Sequence, residues 1–229
     1  MLRYIRFEYK FNLMNDTVTD LYEQYYKNGG AQWLEERSTP KQTQWFIEHI
    51  TSIIEERRTM KESVRVVDLG CGYGRICLEL CNDADQLLGI DLSRELIGEA
   101  KRRKELRETS NLNFIVGDIS EYIGTSYNGY SLGICLWSTI DCLGDDEFKM
   151  LLRNSAMYLD ELVMECRYYD KSSTIENMRN NIDIPQFTRT PNEINSILNQ
   201  ERESIGTNWT MYANDIPGYS NRLLIKVKF

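Results

Sequence analysis

The sequence VVDLGCGYGR, residues 66–75, places three glycines directly after a run of apolar residues and before a helical pattern. Gly70, Gly72 and Gly74 occupy alternate positions in this stretch. Glycine is needed where the backbone turns sharply and where another molecule approaches the backbone closely. The stretch therefore predicts a binding turn between a buried strand and a helix.

Short apolar runs alternate with helical segments from residue 64 onward. Helices are predicted to begin near Arg75, Arg94, Asp145 and Ser172. The apolar runs between them cover residues 64–69, 86–90, 112–116, 130–137 and 161–166. Strands that alternate with helices form parallel sheets with helices on both faces, so the sequence predicts an α/β fold.

The last part of the sequence predicts one more helix and two more strands. The segment Thr190-Pro191-Asn192-Glu193 is a capping box with proline at the first helical position, and its helix should run to about Gln200. Residues 206–212 and 222–229 alternate in polarity across the turn-rich NDIPGYSN and predict an antiparallel hairpin at the sheet edge. The expected fold is a Rossmann-like, mostly parallel seven-stranded sheet with an antiparallel carboxyl-terminal hairpin.

The region before residue 61 has a helical pattern of its own. Apolar and aromatic residues recur at helical spacing from Thr17 to about Arg58, and Thr39-Pro40 is a suitable start for the second helix. We predict an amino-terminal helical cap over residues 1–60 and a main domain over residues 61–229. No linker-like stretch separates the two, so they form one continuous domain.

Two acidic residues follow the second and third predicted strands. Asp91 lies 21 residues after Gly70, where a carboxylate can accept both hydroxyls of a ribose. Asp118 ends the third strand, where a carboxylate can accept the exocyclic amine of an adenine. The glycine spacing is G-x-G-x-G, not the G-x-G-x-x-G that binds pyrophosphate. Together these features favour a nucleoside without phosphate.

Four stretches, VVDLGCGYG, GIDLS, FIVGDI and SLGICLWSTIDCLGDDE, give the chain a resemblance to class I S-adenosylmethionine-dependent methyltransferases over roughly residues 64–166. The resemblance implies S-adenosyl-L-methionine as cofactor, with the glycine turn passing under its methionine part. It implies ribose contacts from Asp91 and Leu92, and Trp137 near the methionine end. Asp118 with the backbone of Ile119 would hold the adenine. Asp68 would either contact the cofactor's amino group or brace the turn.

The region before residue 64 resembles the caps of small-molecule N-methyltransferases that act on glycine or amino sugars. The resemblance implies that these caps close over the cofactor, and the matching residues here are Tyr22, Tyr26, Trp33 and Arg37. The three aromatics are the candidate substrate-binding residues, and Arg37 is suited to bidentate binding of the cofactor's carboxylate.

Methyl transfer from a sulfonium needs alignment and exclusion of water, and it needs no nucleophilic side chain. An amine acceptor must be neutral when it attacks, so a proton-accepting carboxylate is useful. Asp141 and Glu165 are the candidate catalytic residues, and Arg167 and Tyr168 the candidate substrate residues at the same sheet edge. A local surplus of acids favours a cationic amine. The predicted function is N-methylation of an amine-bearing small molecule or peptide natural product.

Two alternatives stay open: an NAD-dependent oxidoreductase, which the glycine spacing and Asp118 oppose, and a non-catalytic interaction module with the same fold. With 35 acidic and 27 basic residues among 229 the net charge is −8, so no nucleic-acid partner is expected. The absence of a long apolar run or signal-like start predicts a cytoplasmic protein without membrane contact. Cys77 and Cys81 have no second pair nearby, so no metal site is expected, and His49 is expected to be a packing residue.

Overall fold

The computed structural model describes residues 20, 23, 24, 27, 40–60, 62–121, 129–169, 173–179, 182–213 and 221–229. Its main sheet has seven strands, β1 to β5, β8 and β9, and a separate two-stranded sheet contains β6 and β7. The strands are β1 (Arg65–Leu69), β2 (Gln86–Asp91), β3 (Leu112–Val116), β4 (Leu132–Cys135), β5 (Glu161–Arg167), β6 (Ser173–Arg179), β7 (Ile182–Thr188), β8 (Asn208–Ala213) and β9 (Arg222–Lys228).

The strand order in the main sheet is β3-β2-β1-β4-β5-β9-β8. Strands β1 to β5 pair in parallel, and β9 pairs antiparallel with both β5 and β8. The predicted α/β class, the seven strands and the antiparallel carboxyl-terminal hairpin are therefore confirmed.

Five α-helices connect these strands in the described part of the chain: α1 (Pro40–Thr59), α2 (Arg75–Leu80), α3 (Arg94–Arg107), α4 (Asp145–Tyr158) and α5 (Pro191–Ile205). The Thr190 side chain accepts a hydrogen bond from Glu193 N, and the Glu193 carboxylate accepts one from Thr190 N, so the predicted capping box starts α5. The helix runs five residues beyond the expected end, to a left-handed Gly206.

Side chains of successive strand residues point to opposite faces of the sheet, and helices cover the apolar side chains on both faces. Val66 belongs to the apolar layer under α1, α2 and α3, whereas Val67 belongs to the layer under α4 and α5. Phe46 and Ile50 of α1 are buried in the first layer, so residues 40–59 pack directly on the main sheet. The boundary at residues 60 and 61 stays a prediction.

The helix predicted to begin near Ser172 is wrong. Residues 173–188 form the antiparallel hairpin of β6 and β7, in which Glu176 pairs with Pro185. The spacing of Ile175 and Met178 imitates a helix, but Ile182 and Ile184 alternate as in a strand, and Pro185 disfavours a helix interior. The hairpin follows β5, at the edge where the parallel strands end.

Two glycines provide a matched test of this packing. A Cβ atom on Gly89 would lie 2.6 Å from Phe114 Cδ1 and 2.8 Å from Cys71 Sγ, whereas one on Gly98 in α3 meets nothing within 4 Å. We expect Gly89→Ala to lower the free energy of unfolding by about 1–3 kcal/mol through overpacking. Gly98→Ala should raise it by about 0.5–1 kcal/mol. Urea denaturation of both variants measures the difference, and equal effects would contradict the packing around Phe114.

Candidate functional site

The candidate site lies at the carboxyl ends of the parallel strands, where the strand order changes direction. From β1, the chain continues to β2 and β3 on one side and later to β4 and β5 on the other. Ligands of open α/β sheets bind in the crevice at such a switch point. The glycine turn follows β1 and lies at this crevice.

The three glycines have left-handed backbones, with φ of 83° at Gly70, 56° at Gly72 and 80° at Gly74. A Cβ on Gly70 would lie 2.4 Å from Thr139 Cγ2, and one on Gly74 would lie 2.5 Å from Phe114 Cζ. The packing of the protein itself therefore requires these two glycines. Among the described residues, a Cβ on Gly72 would meet nothing closer than Leu96 Cδ1, at 3.9 Å, so these residues leave room beside this backbone.

Asp91 at the end of β2 is bonded to the glycine turn. Its Oδ2 accepts a hydrogen bond from Gly72 N at 2.8 Å, and its Oδ1 accepts one from Ser93 N at 2.9 Å. Backbone amides of Gly72, Ser93 and Leu92 are the described donors to this carboxylate, which has about four acceptor positions. The acceptor capacity that these described donors leave is available to the ribose. Burial raises the pKa of Asp91, and the backbone hydrogen bonds oppose the rise. The geometry thus fits the expected ribose contact, which stays a prediction.

Glu23 is a site residue that the sequence analysis missed. Its Oε1 accepts a hydrogen bond from Arg94 N, the first helical amide of α3, at 2.6 Å, and its charge contributes to the raised pKa of Asp91. Glu23 therefore lies at the start of α3, close to Asp91. Its sequence signal is a single acid within the tyrosine-rich LYEQYYK, where the helical spacing is carried by the aromatic residues. The predicted residues Tyr22, Tyr26, Trp33 and Arg37 lie outside the described residues.

Asp68 at the end of β1 is buried, with 3% of its surface exposed. Its Oδ2 accepts a hydrogen bond from the Cys77 thiol at 3.1 Å. Burial raises the pKa of Asp68 to about 7. Within the described part of the chain no backbone N–H donates to this carboxylate, so the bracing role considered for it is not seen there.

Asp118 lies two residues beyond Val116, the register partner of Asp91 on β3. Its Oδ1 accepts hydrogen bonds from Ser120 N at 2.8 Å and from Ser120 Oγ at 2.7 Å. No described residue donates to its Oδ2, which leaves that atom available for an adenine amine. Ile119 is buried beside it, and Leu92 is half-buried after β2.

Trp137 follows β4 in a left-handed turn, with φ of 59° at Trp137 and 62° at Ser138. Such a conformation costs about 1–2 kcal/mol for each residue with a side chain. The Trp137 ring lies 3.9 Å below the Arg75 guanidinium carbon and 5.2 Å from the Phe46 ring. The turn therefore brings β4, α1 and the end of the glycine turn together, and the expected place of Trp137 near the methionine end stays a prediction.

The candidate catalytic acids are buried and paired with arginines. Glu165 is fully buried and accepts hydrogen bonds from Arg222 and from Ser138 N. Asp141 accepts one from Arg167 Nε at 3.0 Å. Burial raises the pKa of both acids, and the arginines oppose the rise. The expected surplus of acids on the pocket wall is therefore wrong for these two side chains, and their catalytic role stays a prediction.

The candidate substrate residues Arg167 and Tyr168 end β5. Besides Asp141, the Arg167 guanidinium donates to Gln186 Oε1 of β7 at 2.9 Å. Tyr168 is half-buried, and its backbone N–H donates to Asn221 O at 3.0 Å. Arg167 thus links the acid-bearing turn to the hairpin, an arrangement that no local sequence pattern predicts.

The described residues fit a nucleoside cofactor: they leave room beside Gly72, acceptor capacity on Asp91 and the Asp118 Oδ2 atom. The strand order, the glycine turn at the switch point and the two acids are typical of a nucleoside-binding α/β enzyme. Residues 60–185 match the family model described as a methyltransferase domain, which covers more than half of the chain. The chain belongs to this methyltransferase family. The family and the fit of the site identify S-adenosylmethionine as the cofactor.

The match to an individual curated protein covers a smaller part of the chain than the match to the family model. A protein of Clostridium tetani described as an uncharacterized RNA methyltransferase is 33% identical over 76 residues, which make up 33% of this chain and 17% of that protein. The chain thus spans less than a fifth of this relative's length.

Solved structures show a shared fold. The magnesium protoporphyrin IX methyltransferase of Synechocystis PCC 6803 with bound S-adenosylmethionine has a TM-score of 0.65 at 16% identity, with 93% of this chain and 97% of that chain covered. A glycopeptide N-methyltransferase complexed with sinefungin has a TM-score of 0.56 at 14% identity, with 77% and 85% covered.

Other features of the described residues concern metals, thiols and membranes. No group of three or more metal-ligating side chains is found among them, and none of the six cysteines, which all lie in the described ranges, forms a disulfide. None of the described helices has the length and apolar character of a membrane span.

His49 stacks on Trp45 with ring centroids 5.4 Å apart, and burial lowers the pKa of His49.

Asp91→Ala tests the ribose contact. The variant loses the acceptor positions left for the ribose, and hydrogen bonds to charged groups contribute about 1.5–3 kcal/mol each. We expect the affinity for S-adenosylhomocysteine, measured by isothermal titration, to fall at least tenfold. Glu95→Ala, which removes an exposed acid on α3, is the control and should bind normally. Unchanged affinity of Asp91→Ala would remove this residue from the site.

The raised pKa of Asp68 predicts a pH dependence of stability. Between about pH 4 and 7 the unfolded chain has lost this proton while the folded chain still holds it. Stability from this group is therefore fully present below pH 4 and is lost as the pH rises to about 7. The wild type should lose on the order of 4 kcal/mol relative to Asp68→Asn across this window. Urea denaturation at several pH values measures it, and parallel pH profiles would contradict the assignment.

Proposed function

We propose that this S-adenosylmethionine-dependent methyltransferase transfers a methyl group to the amine nitrogen of a small molecule or a peptide. The observation that carries the methyl-transfer part is the Gly72 backbone, which the described residues leave room beside and whose N–H is bonded to the Asp91 carboxylate. The amine acceptor is the further step, and the pairing of the arginines at the strand ends favours it over nucleic acid.

The charges at the strand ends favour an acceptor other than nucleic acid. Three arginines at this edge are engaged by acids: Arg167 by Asp141, Arg189 by Asp145, and Arg222 by Glu165. Arg189 also donates to the carbonyls of Ile140 and Leu143. A nucleic-acid surface needs cations directed at phosphates, and the net charge of −8 adds repulsion.

When bound, S-adenosylmethionine supplies an electrophilic methyl group. The chain's own residues align and enclose the reactants. Asp91 would hold the ribose and Asp118 the adenine, and the lack of a side chain at Gly72 would allow the cofactor to approach closely. Alignment of this kind contributes about 7–11 kcal/mol to lowering a barrier. An amine acceptor enters in its neutral form, and its nitrogen is then the nucleophile. No side chain has to act as nucleophile.

The amino-terminal region closes the site in this proposal. Two contacts support the placement: Glu23 receives the Arg94 amide, and Phe46 of α1 touches Trp137. Residues 1–60 then form the cap over the cofactor, with Tyr22, Tyr26 and Trp33 toward the acceptor and Arg37 toward the cofactor's carboxylate. A cap excludes water, which the displacement requires.

RNA is the second candidate acceptor. It is favoured by the name of the Clostridium tetani relative, and that relative shares only the matched 76 residues with this chain. An assay that offers both amines and RNA distinguishes these two acceptors.

The purified chain, incubated with S-adenosylmethionine, should release S-adenosylhomocysteine when offered panels of primary amines and peptides with free amino termini. Mass spectrometry should then find one methyl group added at nitrogen. Transcribed RNA should give no product above background, and Asp91→Ala should be inactive on every acceptor. Methylated RNA with unmodified amines would replace the amine proposal by the second candidate. Binding of S-adenosylhomocysteine without transfer to any acceptor would contradict both.

A further inference from the structure

The turn after β4 is held in a conformation that its own sequence does not favour. Trp137 and Ser138 both have positive φ, although neither is glycine or asparagine. The next residue, Thr139, packs so closely on the glycine turn that a Cβ on Gly70 would overlap it. The turn therefore needs contacts from elsewhere in the chain to keep its shape.

Glu165 and Arg222 supply those contacts. Ser138 N donates to Glu165 Oε2 at 2.8 Å, and Arg222 Nη1 donates both to Ser138 Oγ and to Glu165 Oε1. All three residues are buried. One carboxylate and one guanidinium thus bind the backbone and the side chain of the residue that follows Trp137.

The same turn is secured on its far side. Asp141 is held by Arg167, and the carbonyls of Ile140 and Leu143 accept hydrogen bonds from Arg189. The segment that carries Trp137 is consequently fixed at both ends. The ring position, 3.9 Å from the Arg75 guanidinium carbon, places it beside the end of the glycine turn.

We infer that Glu165 and Arg222 are positioning residues that hold Trp137 at the edge of the cofactor site and thereby shape the wall that a methyl acceptor meets. The part of this inference that concerns a methyl acceptor rests on the proposed function. The dependence of the Trp137 position on the buried pair of Glu165 and Arg222 can be measured in the protein without ligand. The inference also gives Glu165 a role different from that of a base, because its carboxylate is fully buried and paired with Arg222.

The test follows Trp137 in the full chain labelled with 5-fluorotryptophan. Four tryptophans give four fluorine resonances, and Trp137→Phe identifies the one of interest. Glu165→Gln removes the charge and keeps the shape, whereas Arg222→Lys keeps the charge and cannot span Ser138 and Glu165 equally well. We expect the Trp137 resonance to shift, broaden or split in both variants, while the Trp209 resonance stays in place.

Glu201→Gln is the matched control. Glu201 is also a buried carboxylate paired with an arginine, Arg153, at 2.6 and 2.8 Å, but it lies between α4 and α5. This variant should lose stability in urea without moving the Trp137 resonance. If a buried-pair variant does not fold, Ser138→Ala replaces it, because this change removes only one acceptor of Arg222.

An unchanged Trp137 resonance in every folded variant would falsify the inference. A Trp137 resonance that moves equally in Glu201→Gln would also overturn it, because general loosening would then explain the shift. Neither readout involves S-adenosylmethionine or an acceptor. Failure of this inference is therefore distinguishable from failure of the proposed function, which the methyl-transfer assay judges separately.

Discussion

The hydrogen bond from Gly72 N to the Asp91 carboxylate is the contact on which the geometry of the site depends. It joins the end of β2 to the turn after β1 and orients the left-handed backbone toward open space. The same carboxylate accepts Ser93 N, so its two oxygens are fixed before any ligand arrives. A pre-oriented acceptor loses less entropy when it binds a hydroxyl, which is the physical advantage of pairing an acid with a glycine turn.

The other side of the crevice is organised by buried charge. The acids on the β4 turn and on β5 are paired with arginines from β5 and β9, and the arginine after β7 pairs with the first residue of α4. Burial raises the pKa of Asp141 and Glu165, and the neighbouring arginines oppose the rise. Such pairs add little net stability compared with apolar packing, but the loss of one partner is costly, so they fix a conformation firmly.

Local signals were enough to predict most of the fold. The glycine turn, the apolar runs and the Thr190 capping box depend on residues close in sequence, and each appears where it was expected. The β6–β7 hairpin was missed because the spacing of Ile175 and Met178 matched a helix. In the candidate site, too, the residues that could be predicted are those placed by the local sequence. Asp91 and Asp118 follow their strands, whereas the partners of Asp141 and Glu165 come from distant strands that no spacing rule connects.

The distance along the chain between Ser138 and Arg222, 84 positions, has a consequence for biosynthesis. At roughly 5–20 residues per second, a ribosome adds the arginine about 4–17 s after the serine. During that interval the glycine turn and Asp91 are already present, while the turn that carries Trp137 lacks its guanidinium anchor. The ribosome therefore completes the glycine turn and Asp91 before it has made the anchor of the Trp137 turn, and that anchor reaches its place only when β9 pairs with β5.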